Sequence, residues 1–305
     1  MILRILGSAA GGGYPQWNCN CRQCAGLRAG SLRATARSQS SIAVSGDGRS
    51  WLLCNASPDI HRQLSRHLPI EPSAPARSSP IAAVLLADGQ IDHALGLLLL
   101  REHRARLPVW TTAPVRDDLS TTMPLLPILD HYCGVDWHEV PADGEPFTVD
   151  GVRGVTVRAF AVPGKPGPYS LHRQAPRPGD NSAFLFTDEH SAQSILYAPG
   201  LAAVDKAMHA RLAAAAAVLV DGTCFYDDDL ARQGISTKTA RDMGHLPQSG
   251  AGGMVEALAA LPSTVRRILT HINNTNPILD EDSAERAFLT ERGIEIAYDG
   301  MEITL

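Results

Sequence analysis

The chain has 305 residues, of which 44% are hydrophobic and 19% are charged, so it contains enough apolar material for one large domain or two fused ones. The formal net charge of -5 gives no electrostatic reason to expect nucleic acid or an anionic membrane as a partner. The apolar run at the N-terminus is too short for a signal peptide, and no run approaches the roughly 18 apolar residues that a membrane span needs, so we expect a cytoplasmic protein.

Short apolar segments rich in β-formers recur along the chain and predict strands. These segments are Ile2–Leu6, Ser41–Val44, Trp51–Cys54, Ile81–Leu86, Val155–Val162, Ala183–Phe186, Ile195–Tyr197, Val218–Val220 and Ile268–Thr270. Helical patterns lie between many of them, at Asp59–Leu68, Ala94–His103, Lys206–Ala215, Gly253–Leu261 and Ser283–Arg292. Strands dominate early and helices intervene later, which favours an α/β layered fold over a pure β sandwich.

Residues 163–180 form the longest segment that predicts irregular structure, because proline and glycine recur throughout it. A connection of this length inside a compact domain often covers an active site. Composition alone equally fits a surface excursion without a function.

Three cysteines, Cys19, Cys21 and Cys24, lie within six residues near the N-terminus. Crowding of soft ligands is typical of a metal site rather than of a disulfide framework, and structural Zn²⁺ prefers a closed tetrahedron of thiolate or imidazole ligands. We therefore predict a structural zinc, with reduced or redox-active cysteines as the alternative; the fourth ligand must come from elsewhere in the fold. The other thiols lie within or beside apolar stretches and are predicted to be buried in the core: Cys54, Cys133 and Cys224.

A second cluster of potential metal ligands follows the apolar strand Ile81–Leu86 and comprises Asp88, Asp92 and His93. Sites in α/β folds are built at the carboxyl ends of strands. Locally, the same residues equally fit the start of a helix, with Asp92 facing the helix dipole. His271 favours the metal interpretation, because it ends another apolar strand and is well placed to meet a ligand from a neighbouring strand end.

Two further polar groups occupy similar positions. His245 lies in a glycine turn, where it can act as acid, base or substrate contact, and Asp221 closes the strand Val218–Val220. Each residue alone fits a turn or a cap. Their recurrence just past strand ends favours a functional site.

Taken together, several motifs resemble the coenzyme PQQ (pyrroloquinoline quinone) synthesis protein B family. The motifs are Gly7–Gly13, Trp17–Cys21, Asp88–His93 with Gly96–Glu102, Gly244–Pro247, Thr270–Pro277 and Tyr298–Glu302. They extend from residue 7 to residue 302, so the resemblance covers essentially the whole chain.

The family belongs to the metallo-β-lactamase superfamily, so the resemblance implies an αββα sandwich with its metal site along one edge. We expect a single domain over residues 1–305, with a zinc knuckle at about residues 17–26. Phosphodiesterase relatives close a similar knuckle with a histidine three positions after the last active-site histidine. Here that position is Asn274, so Asn274 or some other group must complete the knuckle.

The chain departs from the superfamily's hydrolases at the active site. Those enzymes hold two metal ions with a His-x-His-x-Asp-His sequence, whereas this chain has Asp88 and Gln90 in place of the first two histidines and retains only Asp92 and His93. The strand Ile195–Tyr197, where the superfamily places a bridging aspartate, runs into a Pro-Gly pair instead. A binuclear hydrolytic zinc centre is therefore not expected.

His93, His271 and Asp92 approximate a two-histidine, one-carboxylate set, which suits non-haem Fe(II) that activates O₂ and also tolerates Zn²⁺ or Mn²⁺. Asp88 is then a further ligand or orients a metal-bound imidazole, and His245 moves protons near the substrate. The resemblance implies matching chemistry, namely O₂-dependent hydroxylation of the tyrosine part of a glutamate–tyrosine precursor of PQQ.

Two alternatives remain at this point. The first is a non-catalytic carrier that uses the same cleft for PQQ or its precursor and retains only the structural zinc, in line with an older description of the family as moving PQQ or its precursor to the periplasm. The second is a residual phosphodiesterase or lactonase, which is disfavoured because two of the metal-binding histidines of the hydrolases are missing. The expected partners are the small peptide-derived precursor, PQQ and other proteins of the pathway, and the loop Gly11–Gly13 would allow close backbone approach to substrate carboxylates.

Overall fold

The computed structural model describes all 305 residues and contains two seven-stranded sheets. The first sheet comprises β1 (Ile2–Gly7), β2 (Ser41–Ser45), β3 (Trp51–Cys54), β4 (Ile81–Leu85), β5 (Leu107–Thr111), β6 (Val135–Glu139) and the last strand, β14 (Glu302–Thr304). The second comprises β7 (Asp143–Phe147), β8 (Val155–Ala161), β9 (Ser182–Asp188), β10 (Ser194–Ala198), β11 (Ala217–Asp221), β12 (Arg266–Thr270) and β13 (Ile294–Ile296). The strand orders are β14-β1-β2-β3-β4-β5-β6 and β13-β12-β11-β10-β9-β8-β7, so the chain finishes one sheet before building the other and returns with β14.

Ten short α-helices connect the strands, and none has the length and hydropathy needed to cross a bilayer. They are α1 (Arg22–Ala29), α2 (Ile60–His67), α3 (Ile91–Ala94), α4 (Ala113–Ser120), α5 (Leu125–Leu129), α6 (Lys206–Ala214), α7 (Asp229–Arg232), α8 (Ala240–Met243), α9 (Met254–Ala259) and α10 (Ala284–Thr290). Two 3₁₀ turns cover Leu95–Leu100 and Pro277–Leu279.

Three groups of buried apolar side chains define the layers. The middle group lies between the sheets and includes Leu3 and Leu52 from the first sheet and Phe184 and Leu219 from the second. A second group joins the first sheet to α2, α4 and α5, and a third joins the second sheet to α6, α9 and α10. The layers therefore run helix, sheet, sheet, helix, which confirms the predicted αββα sandwich.

Four neighbouring strands of each sheet are parallel, from β3 to β6 in the first and from β10 to β13 in the second. Their carboxyl ends therefore gather at one edge of each sheet. At this edge the sheets are tied together by two isolated bridges, which pair Ala9 with Ile272 and Asp88 with Asn181.

Every strand predicted from the sequence is present, and no strand boundary differs by more than two residues. The helix predicted over Ala94–His103 is wrong, because α3 ends at Ala94 and a 3₁₀ turn follows. The physical reason lies at Gly96, whose N–H donates to the Ala56 carbonyl oxygen at 2.9 Å and is therefore lost from the α-helical ladder. The burial predicted for three thiols holds for Cys54 and Cys224, but Cys133 is partly exposed.

Candidate functional site

The candidate site lies where the carboxyl ends of β4, β11 and β12 meet. A cavity of about 290 Å³ opens there, and Asp92, His93, His245 and His271 line it together with residues of the segment 163–180. That segment is irregular, as predicted, and it forms one wall of this cavity.

Asp92, His93 and His271 present their ligand atoms to a common point, within 4.8 Å of one another. The Nε2 atom of His271 lies 3.3 Å from Oδ2 of Asp92, and the Nε2 atom of His93 lies 3.9 Å from the same oxygen. His93 is buried and its Nε2 has no hydrogen-bond partner. A buried polar atom without a partner is costly, so the three residues fit a metal ion that would satisfy this nitrogen.

Asp88 lies against the opposite edge of the His93 ring. Both of its carboxylate oxygens are 2.9 Å from Nδ1 of His93, an arrangement that fixes the ring and leaves Nε2 for a metal. Burial alone would lower the pKa of His93, but the carboxylates of Asp88 and Asp92 outweigh it and raise the pKa to about 9. Burial likewise opposes ionisation of Asp92, yet the neighbouring His93 and His271 hold the pKa of that carboxyl well below its usual range.

His271 has a left-handed backbone, with φ of 56°, which is uncommon for a residue with a side chain. Its Nδ1 lies 2.9 Å from the hydroxyl oxygen of Thr223, and Nε2 therefore remains directed at Asp92. Such backbone conformations persist where the surroundings impose them, which is frequent at functional sites.

His245 forms a second polar unit with Asp221. Nδ1 of His245 lies 2.6 Å from Oδ2 of Asp221, and the buried Asp221 also accepts the N–H groups of Leu201 and Thr223 and the Thr223 hydroxyl. Burial alone would lower the pKa of His245, but Asp221 outweighs it and raises that pKa. Asp221, His245 and His271 are also close enough to hold an ion, but the oxygens of Asp221 are already occupied by four donors, so it is better suited to orienting His245.

The glycine loop divides between two cavities. Gly11 lines the candidate site, and a Cβ atom at this position would lie 3.3 Å from the Asp92 carboxylate, so glycine allows the close approach. Gly12 and Gly13 instead border a separate depression beside Arg37. The expected contact of the loop with substrate therefore applies to Gly11 alone.

The three cysteines form a separate cluster at the start of α1. The sulfur atoms of Cys19, Cys21 and Cys24 lie within 4.8 Å of one another. The side-chain nitrogen of Asn274 is 3.3 Å from the sulfur of Cys24 and 3.7 Å from that of Cys21. Burial opposes ionisation of Cys19, but hydrogen bonds led by the Cys21 N–H outweigh it and lower its pKa, whereas burial raises the pKa of Cys21 to about 12. Three converging sulfurs beside an amide fit a zinc ion.

The sequence did not single out four other residues of the cavity: Lys165, Arg173, Asn181 and Lys238. For Lys165 and Arg173 the length of the segment 163–180 was the only signal, and it pointed to a region rather than to side chains; Asn181 and Lys238 had no signal. The partnership of Asp221 with His245 was also missed, since 24 positions separate the two residues.

Sequence comparisons agree with this architecture. Residues 50–272 match the β-lactamase superfamily domain. Coenzyme PQQ synthesis protein B of Cupriavidus taiwanensis is 56% identical over 303 residues, which cover 99% of both chains. The protein of the same name from an Azoarcus species is 53% identical over 305 residues, which cover both chains completely.

Structural comparisons extend the agreement to the whole fold. The crystal structure of Zn²⁺-bound PqqB from Methylobacterium extorquens superposes with a TM-score of 0.89 at 39% identity over both complete chains. A diphosphatase of the PhnP family has a TM-score of 0.67 at 19% identity, covering 99% of this chain and 96% of its own, and shares the fold alone. The chain thus belongs to the coenzyme PQQ synthesis protein B family of the β-lactamase superfamily, and its role lies in PQQ biosynthesis.

Proposed function

We propose that the protein is an Fe(II)- and O₂-dependent hydroxylase that acts on the tyrosine moiety of a glutamate–tyrosine precursor of PQQ. The observation that carries this proposal is the unpartnered Nε2 atom of buried His93, which converges with His271 and Asp92 at the cavity. Two imidazoles and one carboxylate leave positions open for other ligands, as non-haem iron oxygenases require.

The reaction balances when an aromatic C–H group, O₂, two electrons and two protons give a phenolic C–OH group and water. The electrons come from a reductant in solution, since the chain itself presents no two-electron donor beside the cavity. Fe(II) held by His93, His271 and Asp92 would supply the one-electron chemistry that O₂ requires.

The protein's own contribution is to orient the site and to handle protons. Asp88 fixes the His93 ring, and Asp221 and Thr223 fix the rings of His245 and His271. His245 lines the cavity, and because Asp221 engages its Nδ1 atom, Nε2 is the ring nitrogen left for a substrate. His245 is therefore suited to take up or release a proton beside bound substrate.

We further propose that Cys19, Cys21 and Cys24, with Asn274, hold a structural zinc. The support is the convergence of the three sulfurs at the start of α1 and the contact of Asn274 with two of them. A half-turn of the Asn274 amide exchanges its nitrogen for its oxygen, and the oxygen can ligate the metal. The Zn²⁺ bound in the M. extorquens structure is consistent with zinc binding in the family.

The decisive experiment incubates the glutamate–tyrosine precursor anaerobically with protein, Fe(II) and ascorbate, and then admits ¹⁸O₂. We expect mass spectrometry to detect incorporation of an ¹⁸O atom that requires iron and is lost in His93→Ala. His190→Ala, at an exposed histidine remote from the cavity, is the matched control.

If the mass of the precursor does not change although the protein is shown to contain Fe(II), the hydroxylase proposal is contradicted. Tight PQQ binding that survives His93→Ala and His271→Ala would then favour the carrier.

A further inference from the structure

Three cations line the candidate cavity without a carboxylate partner. Lys165 and Arg173 come from the segment 163–180, and Lys238 precedes α8. None of the three takes part in an ion pair. The chain contains only three lysines, so two of them lie at this one cavity.

The carboxylates of the same cavity are already engaged. Asp88 contacts His93, and Asp92 contacts His271. Asp242 accepts the N–H of Thr239 in the capping box of α8. Three carboxylates and three cations thus line the cavity, but none of the carboxylates forms an ion pair with these cations, so the cationic N–H groups remain available to a ligand.

Backbone contacts hold two of the cations in place. The Lys165 ammonium donates to the Asp242 carbonyl oxygen, and the Arg173 guanidinium donates to the carbonyl oxygen of Pro166. The carbonyl oxygen of Lys165 in turn accepts the side-chain N–H of Gln90 at 3.0 Å. Each of these cations retains further N–H donors, because an ammonium has three and a guanidinium five.

Asn181 provides an independent sign of an acidic ligand. It lines the same cavity, it is only 6% exposed, and its side-chain Nδ2 has no acceptor. A buried amide donor without a partner is costly unless a ligand supplies an acceptor oxygen.

We propose that Lys165, Arg173 and Lys238, with Asn181, bind the carboxylates of a substrate that carries two or more of them. This inference rests on the proposed function, which places the aromatic ring at the metal ligands, and adds the residues that select the acidic groups. Cations spread over two loops favour several separate carboxylates, whereas one anionic group would need only a single converging pair.

Binding measured without turnover tests the proposal. The protein is reconstituted with Zn²⁺, which is redox-inert, and titrated calorimetrically with the glutamate–tyrosine precursor and with its carboxyl methyl ester. We expect the ester to bind at least about tenfold more weakly, because charge-assisted hydrogen bonds to carboxylates are lost. Raising the salt concentration should weaken binding of the acid more than that of the ester.

Substitutions then assign the effect to residues. Lys165→Met and Lys238→Met should each weaken binding of the acid by about tenfold and leave the ester unchanged. Lys206→Met, at the exposed third lysine on α6, is the matched control and should change neither. Arg173→Lys should retain most of the affinity that Arg173→Met loses, which separates charge from loop folding.

PQQ, an aromatic tricarboxylate, serves as a second probe. It allows failure of the hydroxylase proposal to be distinguished from failure of the carboxylate site. Binding of either acid that depends on the three cations, without oxygen incorporation, would remove the hydroxylase and keep the carboxylate site. Equal affinity for acid and ester, affinity unaffected by Lys165→Met and Lys238→Met, or no binding of either acid at millimolar concentration would overturn the proposal. Displacement by inorganic phosphate alone would identify a phosphate site instead and would also overturn it.

Discussion

The cysteine knuckle and the histidine–carboxylate centre differ in how the chain builds them. The knuckle draws three ligands from six consecutive residues and packs two of them, Cys21 and Cys24, into the core beneath the second sheet. The second centre joins Asp92 to His271 across 179 positions and opens onto a cavity. A closed thiolate site suits a structural ion, whereas an open site of mixed ligands suits chemistry.

The two centres are nevertheless coupled through one loop. His271 belongs to the second centre, and Asn274, three residues later, contacts the sulfurs of the knuckle. Asn276 anchors the same loop by donating to the Gly222 carbonyl oxygen at 2.9 Å, directly after β11. A metal at the knuckle would therefore stabilise the loop that positions His271.

Removal of one ligand from the open centre should give the largest effect. His271→Ala is expected to lower turnover by at least about 100-fold and to release the active-site metal, because one of three ligands is lost. The zinc content of the knuckle should remain. Metal analysis and turnover on the same sample check both expectations; full activity in His271→Ala would show that the proposed centre is wrong.

Cys21→Ser addresses the closed centre. Structural zinc contributes folding free energy directly, so we expect loss of one zinc per chain and a destabilisation of at least about 2 kcal/mol, or roughly 5 °C in Tm. Cys54→Ser, at a buried thiol outside the knuckle, controls for the cost of changing a core cysteine and should leave the zinc content intact. Unchanged zinc content in Cys21→Ser would exclude the structural zinc.

The distance along the chain between the residues of a site also determines how much of that site could be predicted from the sequence. Three crowded cysteines indicate a metal without knowledge of the fold, and strand ends marked Asp88, Asp92 and His271 as candidates. The pairing of His245 with Asp221 could not be predicted, because it depends on how the loop before α9 returns to the end of β11. Nor could the cations of the segment 163–180, since an irregular segment carries no periodicity that fixes where its side chains point.

Strands were missed for a related reason. β7 contains Asp143, Gly144 and Pro146, which predict a turn, yet it pairs with β8 as the edge strand of the second sheet, where proline is tolerated. β13 and β14 have three residues each, too few to show an alternating pattern. These segments therefore form strands because they lie at sheet edges, although their residues lack the strand propensity or the alternating pattern on which the sequence analysis relied.

Asp88→Asn should have a smaller effect than loss of a ligand. Asparagine keeps an acceptor for Nδ1 of His93 but removes the charge, so we expect metal affinity at the open centre to fall by about 10-fold. Competition with a chelator measures this change. An unaltered affinity would show that hydrogen bonding alone, without the carboxylate charge, suffices to orient His93.

The smallest expected effect concerns the surroundings of the knuckle and its dependence on pH. Asp229 begins α7, and Leu230 of this helix and Gln233 directly after it border the depression at the knuckle. Burial raises the pKa of the Asp229 carboxyl to about 7, against the opposing hydrogen bonds from the N–H groups of Phe225 and Tyr226.

The direction of the pH dependence follows from the pKa of Asp229 in the folded and in the unfolded protein. The unfolded carboxyl has a pKa of 3.8, so between that value and about 7 the folded protein retains a proton that the unfolded chain has lost. Stability is therefore highest below pH 4 with respect to this group and decreases as the pH rises through 7. Asp229→Asn is neutral at every pH and should show a smaller decrease in denaturant midpoint between pH 5 and 8. Because thiolate ligation strengthens over the same interval, both proteins must be measured with saturating zinc, so that the difference between them reports Asp229 alone. If the two midpoints fall in parallel, the backbone N–H groups hold the Asp229 carboxylate ionised in the folded protein and outweigh its burial.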